Sequence, residues 1–251
     1  MKRYQAIVLP LLSLLVVYGP VFAAEVSIAV AANFTDATRQ IVPLFEQASG
    51  HKVKVSFGST GKLYAQIENG APFEVFLAAD TKRPAKAEQQ GLAVAGSRFV
   101  YAQGKLALWS SKPGLFSDGE AYLKAGGFTR LAIANPKTAP YGLAAQQVMQ
   151  HLGIWPQLAP KMVRGDSIAQ TFQFVVTGNV QAGFVAYSQV KAWQGTAGSE
   201  WLIPATYYAP INQAAVLLKK GATNPAAQAF LDFLHGNAAR QVIEQYGYGV
   251  E

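Results

Sequence analysis

The sequence predicts an α/β fold in two lobes, each a mostly parallel sheet covered by helices. Three observations predict it. Short apolar runs with strand character alternate with segments of helical spacing, the pattern of strands joined by crossover helices. The alternation runs through two successive sets. Of 251 residues, 51% are hydrophobic and 14% charged. That supplies a core for one large domain or two lobes and excludes a disordered chain.

The elements follow in order. Val26 to Ala31 reads as a buried strand. Phe34, Ala37, Ile41, Phe45 and Ala48 repeat at helical spacing; Pro43 inside this run should kink or shorten the helix. Val53 to Phe57 alternates like a strand. Leu63 and Ile67 mark a short helix that Asn69-Gly70 ends. Phe73 to Ala78 is an apolar strand, and Lys82 to Gln90 a helix stopped by Gly91. The second set opens with a strand from Lys105 to Trp109. Leu131 to Ala134 is the next strand, Gly142 to Leu152 a helix ended by Gly153. Ser167 to Val176 is a helix with Ile168, Phe172, Val175 and Val176 on its apolar side. Ala182 to Ala186 and Ala214 to Leu218 are strands, and Ala226 to Leu234 and Ala238 to Gln245 are closing helices. The last segment is expected to return to the first lobe. The expected division is 24–104 with 207–251 as lobe 1, and 105–206 as lobe 2.

The N-terminus reads differently. Lys2 and Arg3 precede an apolar run from Ala6 to Val17, and Val21 and Ala23 fit the two small positions before a signal-peptidase cut. Residues 1–23 are therefore expected to be a cleaved secretory signal. The run is short for a membrane span of about 20 residues, so no membrane anchor is expected. There is no cysteine, which leaves no site for an N-terminal lipid and suits a soluble periplasmic product. The formal charge is +7, or +5 without Lys2 and Arg3. The basic residues are scattered. A mild positive field helps attract an anion, but no basic stripe with a matching fold motif points to nucleic acid.

Four strand-to-helix junctions share a chemistry. They are Ala31-Ala32-Asn33, Gly58-Ser59-Thr60-Gly61, Pro140-Tyr141-Gly142 and Gly165-Asp166-Ser167-Ile168. Each places backbone N–H groups at a helix start, where the helix dipole favours an anion. In α/β sheets these junctions lie at the carboxyl ends of strands, where ligands bind. Two fall in each lobe, so donors would face a cleft from both sides. Taken singly, each junction is better explained as an ordinary helix cap; only the count across the chain points to a ligand.

Other motifs fail when tested. Ser56 to Leu63, SFGSTGKL, is similar to a P-loop, but Ser56 replaces its leading glycine and Leu63 its metal-holding hydroxyl. His51, His151 and His235 are far apart and no cysteine joins them, so no zinc site or other direct metal ligand is expected. Asp80 and Asp166 are single loop carboxylates that capping explains. Ser59 lacks a nearby base and no Gly-x-Ser-x-Gly elbow exists. Trp155, Trp193 and Trp201 are scattered, and packing is their default role. A periplasmic hydrolase using Ser59 or an Asp, and a purely structural secreted domain, remain as alternatives.

At these same junctions the sequence resembles the periplasmic molybdate-binding proteins of ABC importers. The resemblance covers essentially the whole mature chain. Its strongest pieces are AVAANFTDA (29–37), VSFGSTGKLYAQIENGAPFEVFLAAD (55–80), LAIANPKTAPYGLAAQQVM (131–149) and AFLDFLHGNAARQVIEQYGY (229–248). It implies a two-lobed periplasmic-binding fold of type II, no enzyme activity and no cofactor. The ligand would be molybdate or tungstate, held in the interlobe cleft by neutral donors; sulfate or another tetrahedral oxyanion is the alternative. The implied ligand residues are Asn33 at the first helix start, Thr60 at the second with Ser59 as a neighbouring candidate, Tyr141 at the third, and Ile168 at the fourth through its backbone N–H. The partner would be a membrane permease, and the binding protein a monomer. One position departs from the family. Many members carry a ligand tyrosine near the end of the strand matching Ala182–Tyr187, but Ala186 stands at that place. Tyr187, one residue on, points to the other face. Tyr141 is expected to supply the phenol instead.

Overall fold

The computed structural model describes residues 23–250; the expected signal segment lies outside them except for Ala23. Lobe 1 opens with β1 (Glu25–Ala31), α1 (Thr35–Ser49), β2 (Lys52–Gly58), α2 (Thr60–Glu68), β3 (Val75–Leu77), α3 (Lys82–Gln89) and β4 (Phe99–Gly104). The chain then crosses into lobe 2. This lobe contains β5 (Leu106–Ser110), α4 (Gly119–Ala125), β6 (Leu131–Ala134), α5 (Pro140–His151), α6 (Trp155–Leu158), β7 (Met162–Gly165), α7 (Ile168–Val176), β8 (Ala182–Ala186), α8 (Tyr187–Ala192) and β9 (Ser199–Leu202). The return adds β10 (Ile211–Leu217), α9 (Pro225–His235) and α10 (Asn237–Gln245).

Two five-stranded sheets result, ordered β2-β1-β3-β10-β4 and β7-β6-β8-β5-β9. Their wiring is the same. In each, three strands run parallel, and the strand that follows an interlobe crossing, β10 or β5, pairs antiparallel on both sides. Half of the pairings are thus antiparallel. A chain that re-enters a sheet from the opposite lobe arrives from the cleft end and runs against its neighbours.

The strands look as they do because of where they sit. β1 is an interior strand buried on both faces, so after Glu25 it reads as an apolar run broken only by Ser27. Val26, Ile28 and Val30 face α1, α9 and α10, packing with Phe34, Ile41, Phe45, Phe230 and Ile243. Ala29 faces the other way, with Leu63, Ile67 and Phe76. Each fully buried side chain of this size contributes about 1.5–3 kcal/mol relative to exposure. Pro43 does not shorten α1, which runs 15 residues to a left-handed cap at Gly50. The proline lies on the exposed side with Arg39, whose carbonyl, deprived of its usual donor, is left to water.

The carboxyl ends of β1, β2 and β3 in lobe 1 and of β6, β7 and β8 in lobe 2 lead into the helices that meet between the lobes. At β6 the approach is close. A Cβ at position 142 would lie 2.2 Å from the Ala134 carbonyl oxygen, so Gly142 lets the first turn of α5 close down on the strand end. Pro140 at the first helical position has its φ set for that turn.

Candidate functional site

A small cavity lies between the lobes. It is lined by Ala31, Ala32, Asn33, Gly58, Ser59 and Thr60 with Ala79 from lobe 1, and by Ala139, Pro140, Tyr141 and Ile168 from lobe 2. About 10 Å³ is open to the centre of a water-sized sphere, the room of about one water molecule. All five residues singled out in the sequence, Asn33, Ser59, Thr60, Tyr141 and Ile168, meet there.

Each arrives at a helix start. Asn33 sits in a 3-10 turn, Ala32–Phe34, that leads into α1. Its amide nitrogen donates to Gln213 Oε1 (2.8 Å) and to the Tyr248 hydroxyl (3.1 Å). Both amide hydrogens are used, so the donors this junction offers are its first backbone N–H groups. Ser59 is the N-cap of α2 but makes no capping bond. It is 4% exposed, and its Oγ has no hydrogen-bond partner in the protein. Thr60 Oγ1 accepts from the Ala79 N–H at 3.0 Å. Ile168 opens α7; its side chain joins the lobe 2 core, and its N–H has no acceptor within the helix.

Tyr141 is buried at the start of α5. Its hydroxyl accepts from Gln213 Nε2 at 3.2 Å. Burial, with further contributions from the nearby tyrosines, pushes its pKa well above the ordinary phenol value, so it stays a neutral donor. Tyr101 and Tyr248 are shifted the same way, burial again first.

The lobes are joined around the cavity. The Gly61 N–H donates to the Thr138 carbonyl at 2.8 Å. Arg83 Nη2 donates to the Lys137 carbonyl at 3.2 Å, and Lys62 pairs with Asp166 at 2.7 Å. On the other side Ser188 Oγ donates to the Asn33 carbonyl at 3.0 Å. The Tyr248 hydroxyl donates to the same carbonyl at 2.7 Å and lies 2.9 Å from Ser188 Oγ. A groove lined by Lys82, Arg83 and Lys137 shares Ala79, Ala139 and Pro140 with the cavity.

No charged side chain lines the cavity itself. Asp80 is paired with Arg83, and Lys62 of the P-loop-like segment points to Asp166. His51 accepts from the Ala24 N–H, while His151 and His235 stack on Tyr207 and Phe99. Among the described residues no group of His, Cys, Asp or Glu is placed to hold a metal ion. Trp193 packs with Trp109 and Phe172, Trp201 with Tyr207, and Trp155 against the lobe 2 core. Tyr187 packs beside Gly247 and does not line the cavity. What the arrangement offers is a set of neutral donors converging from two lobes, with no acid–base pair.

The family model for bacterial extracellular solute-binding proteins matches residues 26–249.

The chain belongs to that family.

Its relatives in the family include a molybdate-binding protein ModA of Azotobacter vinelandii, 57% identical over 230 residues, 91% of each chain. A ModA of Rhodobacter capsulatus is 52% identical over 232 residues, covering 92% of this chain and 91% of that one. Among solved structures, the periplasmic molybdate-binding protein of Azotobacter vinelandii superposes with a TM-score of 0.87. It is 42% identical over 90% of this chain and all of that one. The two-lobed fold expected from the sequence is therefore the fold of the family. Its members are solute-binding proteins, and the hydrolase alternative falls with that.

Sequence reasoning missed the layer behind the cavity of this solute-binding protein. Gln213, Tyr101, Tyr248 and Ser188 form a buried polar network around Asn33 and Tyr141. One signal was present: Gln213 interrupts an apolar strand, INQAAVL, where a buried amide must be bonded.

Proposed function

We propose that this chain captures molybdate, and tungstate with it, in the periplasm and delivers it to the membrane permease of an ABC importer. The observation that carries the reading is the buried Ser59 hydroxyl, which has no protein partner and stands in a neutral cavity lined from both lobes. Leaving such a group unsatisfied costs about 1–3 kcal/mol, whereas a hydrogen bond to a charged acceptor contributes about 1.5–3 kcal/mol. An oxyanion oxygen meets that need. The high identity to proteins named for molybdate binding supports the choice of oxyanion.

The mechanism is binding without turnover. The dianion enters between the open lobes, drawn by the field of Lys82, Arg83 and Lys137 at the adjoining groove. Hydroxyls of Ser59, Thr60 and Tyr141 and the N–H groups at Asn33 and Ile168 then surround it. Closure brings Gly61 to Thr138 and Lys62 to Asp166, and creates the two-lobed surface that a permease reads. Donors without countercharge suit a fully deprotonated oxyanion and penalise hydrogen phosphate, whose O–H would face another donor. Cavity size separates molybdate and tungstate from smaller sulfate. The protein works as a monomer, with both lobes free to move, and the ligand is cargo rather than a cofactor.

The test is calorimetric titration of the mature, ligand-stripped protein with molybdate, tungstate, sulfate and phosphate. One-site binding of molybdate and tungstate, with sulfate and phosphate weak, is expected. A sulfate preference would overturn the ligand and keep the site. No heat, and no thermal stabilisation where a ligand at 1,000 times its Kd adds about 4 kcal/mol, would overturn the function.

A further inference from the structure

Gln213 is the most deeply placed polar side chain behind the cavity, with no exposure to solvent. It lies where the register of β10 against β4 shifts between residues 213 and 214, and such an irregularity re-aims a side chain. Its amide is held at three points. Oε1 accepts from Asn33 Nδ2 (2.8 Å) and from the Tyr101 hydroxyl (3.0 Å). Nε2 donates to the Tyr141 hydroxyl (3.2 Å). With two donors on its oxygen the amide cannot turn over without facing donor to donor. Opposite, a Cβ at position 104 would lie 2.1 Å from the Tyr141 hydroxyl oxygen and 2.8 Å from Gln213 Nε2. Gly104 leaves the space in which the phenol and the amide meet.

We propose that Gln213 is a positioning residue that fixes Tyr141 as a hydrogen donor to the bound oxyanion. A phenol has one hydrogen and two lone pairs. The Gln213 N–H occupies a lone pair, so the hydrogen is left to turn toward the cavity that Tyr141 lines. Across the cavity the Ala79 N–H sets Thr60 in the same way by bonding its Oγ1. The two hydroxyls, one from each lobe, thus present hydrogens and not lone pairs. That polarity accepts a dianion and rejects an oxyanion that must donate its own proton. The inference rests on the oxyanion reading and adds where the selection against hydrogen phosphate originates.

A double-mutant cycle tests it, with Gln213→Met, Tyr141→Phe and the pair titrated with molybdate and with phosphate, and each variant melted. Q213M is expected to raise the molybdate Kd about tenfold, the scale of one hydrogen bond to a charged group. In the Y141F background it is expected to change Kd by less than about twofold, because the hydroxyl it aims is gone. Equal losses in both backgrounds would overturn the proposal and reduce Gln213 to packing. So would a Y141F protein that binds molybdate as tightly as wild type. Gln213→Glu covers the case in which Q213M does not fold. Its carboxylate keeps the acceptors for Asn33 and Tyr101 but draws the Tyr141 hydrogen to itself, which turns a lone pair to the cavity. The expected result is a narrower gap between phosphate and molybdate Kd; an unchanged gap overturns the proposal. Wild-type protein that binds neither anion would overturn the oxyanion reading itself, a failure visible before any variant is made.

Discussion

Each lobe carries a serine just before the helix that follows its outer parallel strand, Ser59 after β2 and Ser167 after β7. Strand order, direction and residue type are the same, and the use is different. Ser167 Oγ accepts from the Gln170 N–H at 3.3 Å and caps α7, a contribution of about 1 kcal/mol. Ser59 caps nothing, although it is buried and well placed to do so. Its hydroxyl lines the cavity between the lobes instead. The pair teaches how to separate the two meanings of a polar residue at a helix start. The residue type is shared by both; of the two serines only Ser59 leaves its hydroxyl unmet, and it does so in the cavity.

The largest expected effect comes where lobe 2 reaches back into lobe 1. In Gly104→Ala the new methyl would lie 2.1 Å from the Tyr141 hydroxyl oxygen, so the phenol must shift. Overpacking of this kind costs about 1–3 kcal/mol. We expect molybdate affinity to fall about a hundredfold, as the phenol leaves the cavity and the Gln213 contact breaks. Titration alongside a thermal melt checks it. Wild-type affinity in G104A would mean that the Tyr141 position does not matter to the ligand, and lobe 1 would hold the anion alone.

Next in size is the direct test of the two serines. Ser59→Ala removes a hydroxyl that bonds nothing in the protein, so the ligand-free Tm should hold or rise slightly. Molybdate affinity should fall about tenfold, for the loss of one hydrogen bond to a charged acceptor. Ser167→Ala should do the reverse. Its Tm should fall by about 2–4 °C, the scale of 1 kcal/mol in a chain of this size, with affinity within about twofold. The same fall in affinity for both variants would erase the distinction, and a fall in Tm for S59A would make Ser59 structural.

The sequence alone made most of the fold legible, for a physical reason. Interior strands such as β1 and β8 are buried on both faces and write themselves as mostly apolar runs. Helices such as α1 and α7 are half buried and repeat at helical spacing. The pieces it hid were β4, β7, β9, α4, α6 and α8, which are short, partly exposed or mixed in composition, so that neither period stands out. At the site, the four strand-to-helix junctions could be read because N–H donors at helix starts follow from local structure. The network behind them could not. Gln213, Tyr248 and Ser188 come from three distant parts of the chain, and only the fold brings them to Asn33. What Asn33 itself contributes also needed the structure, since its amide is engaged from behind by Gln213 and Tyr248.

The smallest expected effect concerns the ion pair that joins the same two junctions across the cleft. Lys62 and Asp166 are 2.7 Å apart but 50% and 68% exposed, one residue beyond Gly61 and one before Ser167. Exposed pairs contribute little, because water and salt screen them and two long side chains must be held still. The neighbouring Gly61–Thr138 bond is a backbone contact that a change at Asp166 leaves in place. Asp166→Asn should therefore weaken molybdate binding by less than about threefold, and the difference should vanish at high salt. Titrations at low and high ionic strength check both parts. A salt-insensitive loss of tenfold or more would mean that the closed form is held by this pair and not by donors converging on the anion. Ser59 and Ser167 would then matter less for what each bonds than for where each places its charged neighbour.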